Sequence, residues 1–290
     1  MDYVGHIIRP PSEAYSMIIQ VTVGCSHNMC TFCGTYKDQK FYVKDIQQVK
    51  RDIDEASRYR FERVFLTDGD VLILPTERLL DLFAYIKKKN PHIERIGVYA
   101  NTKAILKKSV AELKQLKEAG LGIVYHGIES GNEDVLRRIR KGALPHKQLE
   151  AAQKIKEAGI VLSQTVLLGI GGIDLSIPHA IDTGKHLGAM SPDYASALTV
   201  MLLPNTLLYS DYVQGKFVLP DKFGLLRELK LMVENMDVTS TCYFTSNHAS
   251  NYLPIKATLP DDKKQIVALL DNIINSKDES ILKPEYLRAL

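Results

Sequence analysis

The chain has 290 residues, 45% of them hydrophobic and 24% charged. That balance belongs to a globular protein large enough to bury a core without disulfide staples. The formal charge is +3, from 37 basic and 34 acidic residues, so no strongly basic surface for nucleic acid is implied. Four cysteines exclude a disulfide scaffold. The first residues, MDYVGHIIRPPSEAYS, lack a signal-peptide pattern, and no apolar run reaches membrane-span length. These features lead us to expect a reduced cytosolic compartment and no membrane partner.

Taken in chain order, short apolar runs alternate with amphipathic stretches. MIIQVTV (17–23) is β-branched and strand-like, and VKDIQQVKRDIDEAS (43–57) has helical spacing. ERVFLT (62–67) is a strand ending in DGD. TERLLDLFAYIKKK (76–89) is a helix whose closing lysines suit its dipole. ERIGVYAN (94–101) is a strand, and VAELKQLKEAG (110–120) a helix closed by Gly120. Then come a strand at 121–129, a helix at 146–160, a strand at 161–169, a helix at 178–190 and a sixth strand at 193–203. Beyond about 205 the rhythm changes: a helix at 222–236, a polar and aromatic stretch at 239–254 without clear period, and a closing helix at 260–276.

Strands alternating with helices predict a parallel sheet of βαβ units, here an α/β fold curving into a partial (β/α)6 barrel. In such barrels chemistry sits beyond the C-terminal ends of the strands. Cys25, Asp68 to Asp70, Asn101, Glu129 and Gly169 all follow predicted strands.

Three of the four cysteines lie in GCSHNMCTFCGTY, as C-x4-C-x2-C: Cys25, Cys30 and Cys33. A Cys-x2-Cys turn lets two thiolates bind one metal or neighbouring irons, and three thiolates leave a tetrahedral site or a cubane cluster one ligand short. An open ligand position suits catalysis. A structural zinc site would draw a fourth ligand from His27 or Cys242, and an inert buried trio is the third alternative.

IIQVTVGCSHNMCTFC resembles the opening of a radical S-adenosylmethionine (SAM) enzyme. The resemblance implies a 4Fe–4S cluster on Cys25, Cys30 and Cys33, with the open iron chelating the amino and carboxylate groups of SAM. The usual spacing is C-x3-C-x2-C. The extra residue here predicts a bulged loop that keeps the thiolates near their usual positions. Phe32 fits the family's adenine contact. FLTDGD places Asp68, Gly69 and Asp70 where the family has a turn whose backbone meets the methionine amino group. GIESGNEDVLRRIRKG resembles the fourth-strand segment of the coproporphyrinogen dehydrogenase and methylthiotransferase branches. It implies Glu129 on the ribose hydroxyls, Ser130 and Gly131 in the turn, and Arg140 for the carboxylate; Arg137 and Arg138 read as a solvated helix face. VLLGIGG resembles the fifth-strand glycine motif, with Gly169 near the adenine, and MLLPNTLLY the end of the sixth strand. The resemblance covers about 17 to 210. It implies a barrel over 1–205 and an extension over 206–290 that completes or caps the active site.

The family's chemistry is reductive cleavage of SAM to a 5′-deoxyadenosyl radical that takes hydrogen from a substrate, with electrons from an external flavodoxin- or ferredoxin-type donor. For the substrate, FTSNHASNYLP reads as a lid rich in hydrogen-bonding groups, with His248, Asn247, Asn251 and Tyr252. His126, Gln164 and Asn101 are further candidates for the barrel interior. The chain lacks room after 205 for the added domains of methylthiotransferases or cobalamin partners, and no stable nucleic-acid partner is expected. A small molecule is, with a nucleotide as the candidate: a lyase releasing queuine from queuosine 5′-phosphate. The alternatives are an oxidative decarboxylase or dehydrogenase of a tetrapyrrole-like substrate, a zinc-stabilised binding module, and a non-catalytic iron–sulfur carrier.

Overall fold

The computed structural model describes residues 1–289. The chain divides into two compact units. The first is Met1–Asn28, Thr35–His126 and Glu150–Leu162; the second is Met29–Gly34, Gly127–Leu149 and the chain from Ser163 on. The residues after 205 fall in the same unit as 163–204.

The first unit opens with β1 (Met17–Gln20) and the short β2 (Thr22–Val23). β2 pairs antiparallel with β3 (Tyr42–Val43), in the register Thr22 to Val43 and Val23 to Tyr42. The helix α1 (Ile46–Ala56) follows, capped by Asp45, whose carboxylate accepts from Gln47 and Gln48 backbone N–H groups at 3.0 and 3.1 Å; such caps satisfy donors that a helix start leaves open. Next come β4 (Arg63–Thr67), α2 (Thr76–Lys89), β5 (Arg95–Tyr99), the short α3 (Thr102–Leu106) and α4 (Val110–Ala119). α4 starts in a capping box between Ser109 and Glu112 and ends at Gly120, whose φ of +120° suits a residue without Cβ. β1, β4, β5 and β6 (Leu121–Glu129) pair in parallel in that order.

Alternation sorts these strands into two faces. Ile19, Val64, Leu66, Ile96, Val98 and Val124 are wholly buried, as are Val49, Ile53, Leu79, Phe83, Ile86, Leu113 and Leu116 of the helices. The other face carries Phe65, Tyr99 and Tyr125, whose rings meet edge to face with centroids 5.0 to 6.0 Å apart.

The second unit takes over at the end of β6. It holds α5 (Glu133–Arg138), the start of α6 (Pro145–Glu157), most of β7 (Val161–Leu168), α7 (Gly172–Met190) and β8 (Tyr194–Thr199). α8 (Leu207–Val213), α9 (Lys222–Glu234), β9 (Cys242–Thr245), β10 (Lys256–Leu259) and α10 (Lys263–Ser276) complete it. The strand order is β6-β7-β8-β9-β10. β9 runs parallel to β8, and β10 returns antiparallel to β9. The stretch expected to have no period thus contributes a strand with the burial pattern of alternating faces: Cys242 and Phe244 buried, Tyr243 exposed. α7 begins six residues earlier than expected and carries Pro178 within it. Among the described residues no helix is long and apolar enough to cross a membrane.

Candidate functional site

The cysteine loop leaves β2 and returns on β3, so both its ends are pinned by one small ribbon. Its first part, with Cys25, belongs to the first unit, and Met29–Gly34, with Cys30 and Cys33, to the second. In the first unit the Ser26 hydroxyl donates to Asp70. Asn101 Nδ2 donates to Asp70 Oδ2 at 2.7 Å and to Ser26 Oγ at 2.9 Å. Asn28, with φ of +40°, donates through Nδ2 to the Tyr36 carbonyl at 2.7 Å. Asparagine tolerates this left-handed conformation better than most residues, and it falls within the C-x4-C segment that carries the extra residue. In the second unit, Thr31 N–H donates to the Ile139 carbonyl at 2.9 Å and the Thr31 carbonyl accepts from Leu208 N–H at 2.9 Å. Asn205 Nδ2 donates to the Gly34 carbonyl at 2.9 Å. Phe32 packs on a cluster that includes Val135, Leu136, Ile139, Leu167 and Ile170.

All three loop cysteines are half-buried, and none is in a disulfide. Among the described residues no three His, Cys, Asp or Glu side chains stand together closely enough to hold a metal ion. The donor chemistry nonetheless fits an iron–sulfur cluster: three reduced thiols on one short loop, soft ligands of the kind such clusters take. The loop is also fitted to its neighbour, because a Cβ on Gly69 would stand 3.0 Å from Cys25 Cβ and 3.0 Å from the Tyr36 ring.

The turn after β4 holds its carboxylates inward. Asp68 accepts from Gln20 Nε2 at 2.9 Å, Thr67 Oγ1 at 2.9 Å and Tyr36 OH at 3.3 Å. Burial raises its carboxyl above the ordinary range despite these donors. Asp70 is pushed up to about 6 by burial, against the pull of Ser26 and Asn101. Both side chains are spent on shaping the loop, which leaves the turn's backbone for any ligand. Asn101 serves the same purpose and also caps α3, accepting from Ala104 N–H at 2.9 Å.

At the end of β6, Glu129 sits at φ +65° with its carboxylate 2.7 Å from Lys141 Nζ, both groups largely buried. A Cβ on Gly127 would lie 2.5 Å from Glu129 Oε1, so only glycine lets this side chain fold back. Ser130 Oγ donates to His179 Nδ1 at 2.8 Å and accepts from Asn132 N–H at 3.0 Å. Gly131 N–H donates to Thr183 Oγ1 at 2.9 Å, and a Cβ there would strike the Asp182 carbonyl at 2.5 Å. Arg140 is exposed and has φ +53°. At the end of β7, Gly169 has φ +80°, and its N–H donates to Glu228 Oε2 at 2.6 Å. Arg137 pairs with Glu133 on the exposed face of α5, whereas Arg138 donates to the Gly171 carbonyl at 3.0 Å.

The expected substrate groups are distributed otherwise than a lid would require. Asn251 donates to the Ala197 and Ser246 carbonyls, both at 2.8 Å, and accepts from Thr199 Oγ1 at 2.8 Å. Tyr252 OH donates to Glu285, accepts from Arg288 Nη1 at 2.7 Å, and its ring lies 4.3 Å from the Arg288 guanidinium carbon. Ser250 Oγ accepts from Thr199 N–H at 3.1 Å and meets His248 Nδ1 at 2.9 Å. Burial, with Lys283 nearby, lowers the His248 imidazole. Most of the segment is stitched to the end of β8; Asn247 is exposed. His126 is buried against Thr102 of α3, its Nε2 2.9 Å from Oγ1, while its strand neighbour Tyr125 takes the aromatic face and donates to Glu13 Oε1 at 2.5 Å. Gln164 is buried with Nε2 3.3 Å from Met190 Sδ of α7. Both His126 and Gln164 therefore face helices.

The opposite face of β7, β8 and β9 offers different groups. Thr165 stands beside Ser196, and Ser196 beside Thr245, with the last two hydroxyls 3.1 Å apart. One row earlier Tyr194 stacks on Tyr243, centroids 5.4 Å apart, the two rings 42% and 50% exposed. The hydroxyl row continues to the exposed Lys256 of β10, which pairs with Thr245. The sequence reading missed these rows because Ser and Thr spaced by two look like ordinary strand residues. It also missed Lys141, which lay inside the quoted motif, and His179 and Glu228. Glu228 had a legible signal: it shares the helical stripe of Leu225, Leu229 and Met232.

A mostly parallel α/β sheet whose first strand leads into a three-thiol loop is the layout of a partial-barrel iron–sulfur protein. A family model for the radical SAM superfamily matches residues 19–183, more than half of the chain, and the chain belongs to that superfamily. A heme chaperone of Bacillus subtilis (strain 168) is 25% identical over 228 residues, covering 73% of this chain and 58% of the relative. The chain thus spans little more than half of that relative's length. Among solved structures, methylornithine synthase matches with a TM-score of 0.54 at 18% identity, over 89% of this chain and 81% of that one. Coproporphyrinogen III oxidase from Escherichia coli, described as a radical SAM enzyme, matches with a TM-score of 0.58 at 16% identity, over 76% and 52%. These likenesses bear out the α/β partial-barrel fold. The cofactors of the superfamily are a 4Fe–4S cluster and SAM.

Proposed function

We propose that this chain is a radical SAM enzyme acting on a small hydroxylated substrate, with release of queuine from queuosine 5′-phosphate as the specific reaction. The observation that carries the substrate class is the row of hydroxyls formed by Thr165, Ser196 and Thr245 along β7, β8 and β9. Hydroxyl rows hydrogen-bond diols and sugar hydroxyls.

In this reading Cys25, Cys30 and Cys33 hold the cluster. The backbone of the Asp68–Asp70 turn meets the methionine end of SAM, with Phe32 and Gly169 beside the adenine and Ser130 shaping the turn of Glu129. Glu129 exchanges its bond to Lys141 for the ribose hydroxyls, and exposed Arg140 serves the carboxylate. Held there, the cluster and SAM would supply one-electron reductive chemistry for taking a hydrogen atom from the substrate. The protein's share is to orient the substrate and exclude water. Residues 1–205 form the catalytic barrel in this account and 206–290 its cap, with a flavodoxin- or ferredoxin-type protein as electron donor.

A second reading, oxidation of a tetrapyrrole-like substrate, is favoured by the likeness to a heme chaperone. It calls for several cations to meet propionate groups, and the hydroxyl row described above offers one, Lys256. Incubation of the reduced enzyme and SAM with queuosine 5′-phosphate separates the two. Free queuine supports the lyase. Its absence, together with carbon dioxide released from coproporphyrinogen, refutes the lyase and favours the second reading.

A further inference from the structure

The second unit contains a buried acid that neither the superfamily motifs nor the proposed reaction uses. Glu228 lies on α9, outside the segment that resembles the superfamily, and is 0% exposed. A carboxylate in such a place is costly unless it is bonded. Its Oε2 accepts the Gly169 N–H at 2.6 Å and lies 4.0 Å from His179 Nε2. His179, also 0% exposed, joins two strand ends. Its Nε2 donates to the Leu167 carbonyl at 3.0 Å, and its Nδ1 accepts from Ser130 at 2.8 Å. Burial pushes its imidazole down to about 4, so near neutral pH the ring carries one proton, as this donor–acceptor pair requires.

We infer that Glu228 is a positioning residue for SAM binding, clamping the Gly169 turn directly while His179 ties that strand end to the Ser130 turn that carries Glu129. The inference rests on the reading of Gly169 and Glu129 as SAM contacts.

The Gly169 turn needs such a clamp. At φ +80°, and with Leu219 and Leu225 each 2.8 Å from where a Cβ would stand, it is held in a conformation that glycine alone takes readily. Glycine is also the residue with most freedom to leave it. A buried hydrogen bond from its N–H to Glu228 restricts that freedom. Through it α9 reaches the cofactor turn without touching a ligand.

The test uses the reconstituted enzyme and equilibrium dialysis of SAM without reductant, so that the readout is affinity. Glu228→Leu removes the acceptor; Glu228→Gln keeps an oxygen for the Gly169 N–H. We expect Glu228→Leu to weaken SAM at least tenfold, with iron content and melting temperature near wild type, and Glu228→Gln to restore affinity to within about threefold. In turnover the loss should appear in KM for SAM with kcat largely kept. Wild-type affinity in a folded Glu228→Leu enzyme would overturn the inference. Should that variant not fold, Ser130→Ala carries the test: weakening of severalfold supports the clamp, and unchanged affinity overturns it. A wild-type enzyme that loads its cluster but does not bind SAM would refute the underlying site reading, and this inference with it.

Discussion

Replacing Glu228 by glutamine should change how stability depends on pH, and the size and sign follow from its burial. The carboxyl is pushed up to about 7 from an ordinary 4.5, first by desolvation, with Ser176 and the Gly169 N–H pulling the other way. In the unfolded chain it ionises near its ordinary value, while in the folded chain it keeps its proton to about 7. The native state therefore binds more protons in that window, and stability falls as pH rises through it. Each pH unit is worth about 1.4 kcal/mol, so from pH 5.5 to 7 wild type should lose roughly 2 kcal/mol from this group. His179 and His186 act in the opposite sense. Burial lowers both to about 4, so their unfolded forms take up protons first as pH falls, and stability rises with pH up to about 6.5. Those contributions are common to both proteins, so the difference between wild type and Glu228→Gln isolates the acid. Urea unfolding of both apo proteins at pH 5.5 and 7 should show the variant gaining roughly 2 kcal/mol on wild type across the window. Parallel curves, or a variant that loses ground, would refute the reasoning.

Gly69→Ala would place a methyl 3.0 Å from Cys25 Cβ and from the Tyr36 ring. Such overpacking costs roughly 1–3 kcal/mol and should lower the iron bound per chain on reconstitution; full loading with an unchanged melting temperature would contradict this. Asn251→Ala removes three bonds of 2.8 Å, two of them to backbone carbonyls, and should cost about 2 kcal/mol in urea unfolding. An unchanged midpoint would contradict this structural role for Asn251.

Much of the fold was legible because its signals are local. The alternation of strands and helices, the Gly120 stop and the first six major strands follow from periodicity and turn chemistry. The short α3, α5 and α8 were not, since five to seven residues carry too little pattern to separate from a loop. β10 escaped for the same reason. Spacing marks the three cysteines and the Glu129 segment as candidate site groups in the sequence alone. The site was not legible where residues meet only through the fold. His126 and Gln164 look like interior groups in sequence, but alternation sends each to the helix side of its strand. Asn251 and Tyr252 look like ligand groups, yet the return from β9 to β10 consumes their polar atoms. Glu228 binds a glycine 59 residues away, and no local pattern pairs the two.

The central claim is best tested by anaerobic reconstitution with iron and sulfide, then dithionite and SAM, following 5′-deoxyadenosine by chromatography. The account predicts a brown protein that forms 5′-deoxyadenosine, and loss of both colour and product in Cys30→Ala. A colourless protein holding one equivalent of zinc, with no cleavage of SAM, would contradict it.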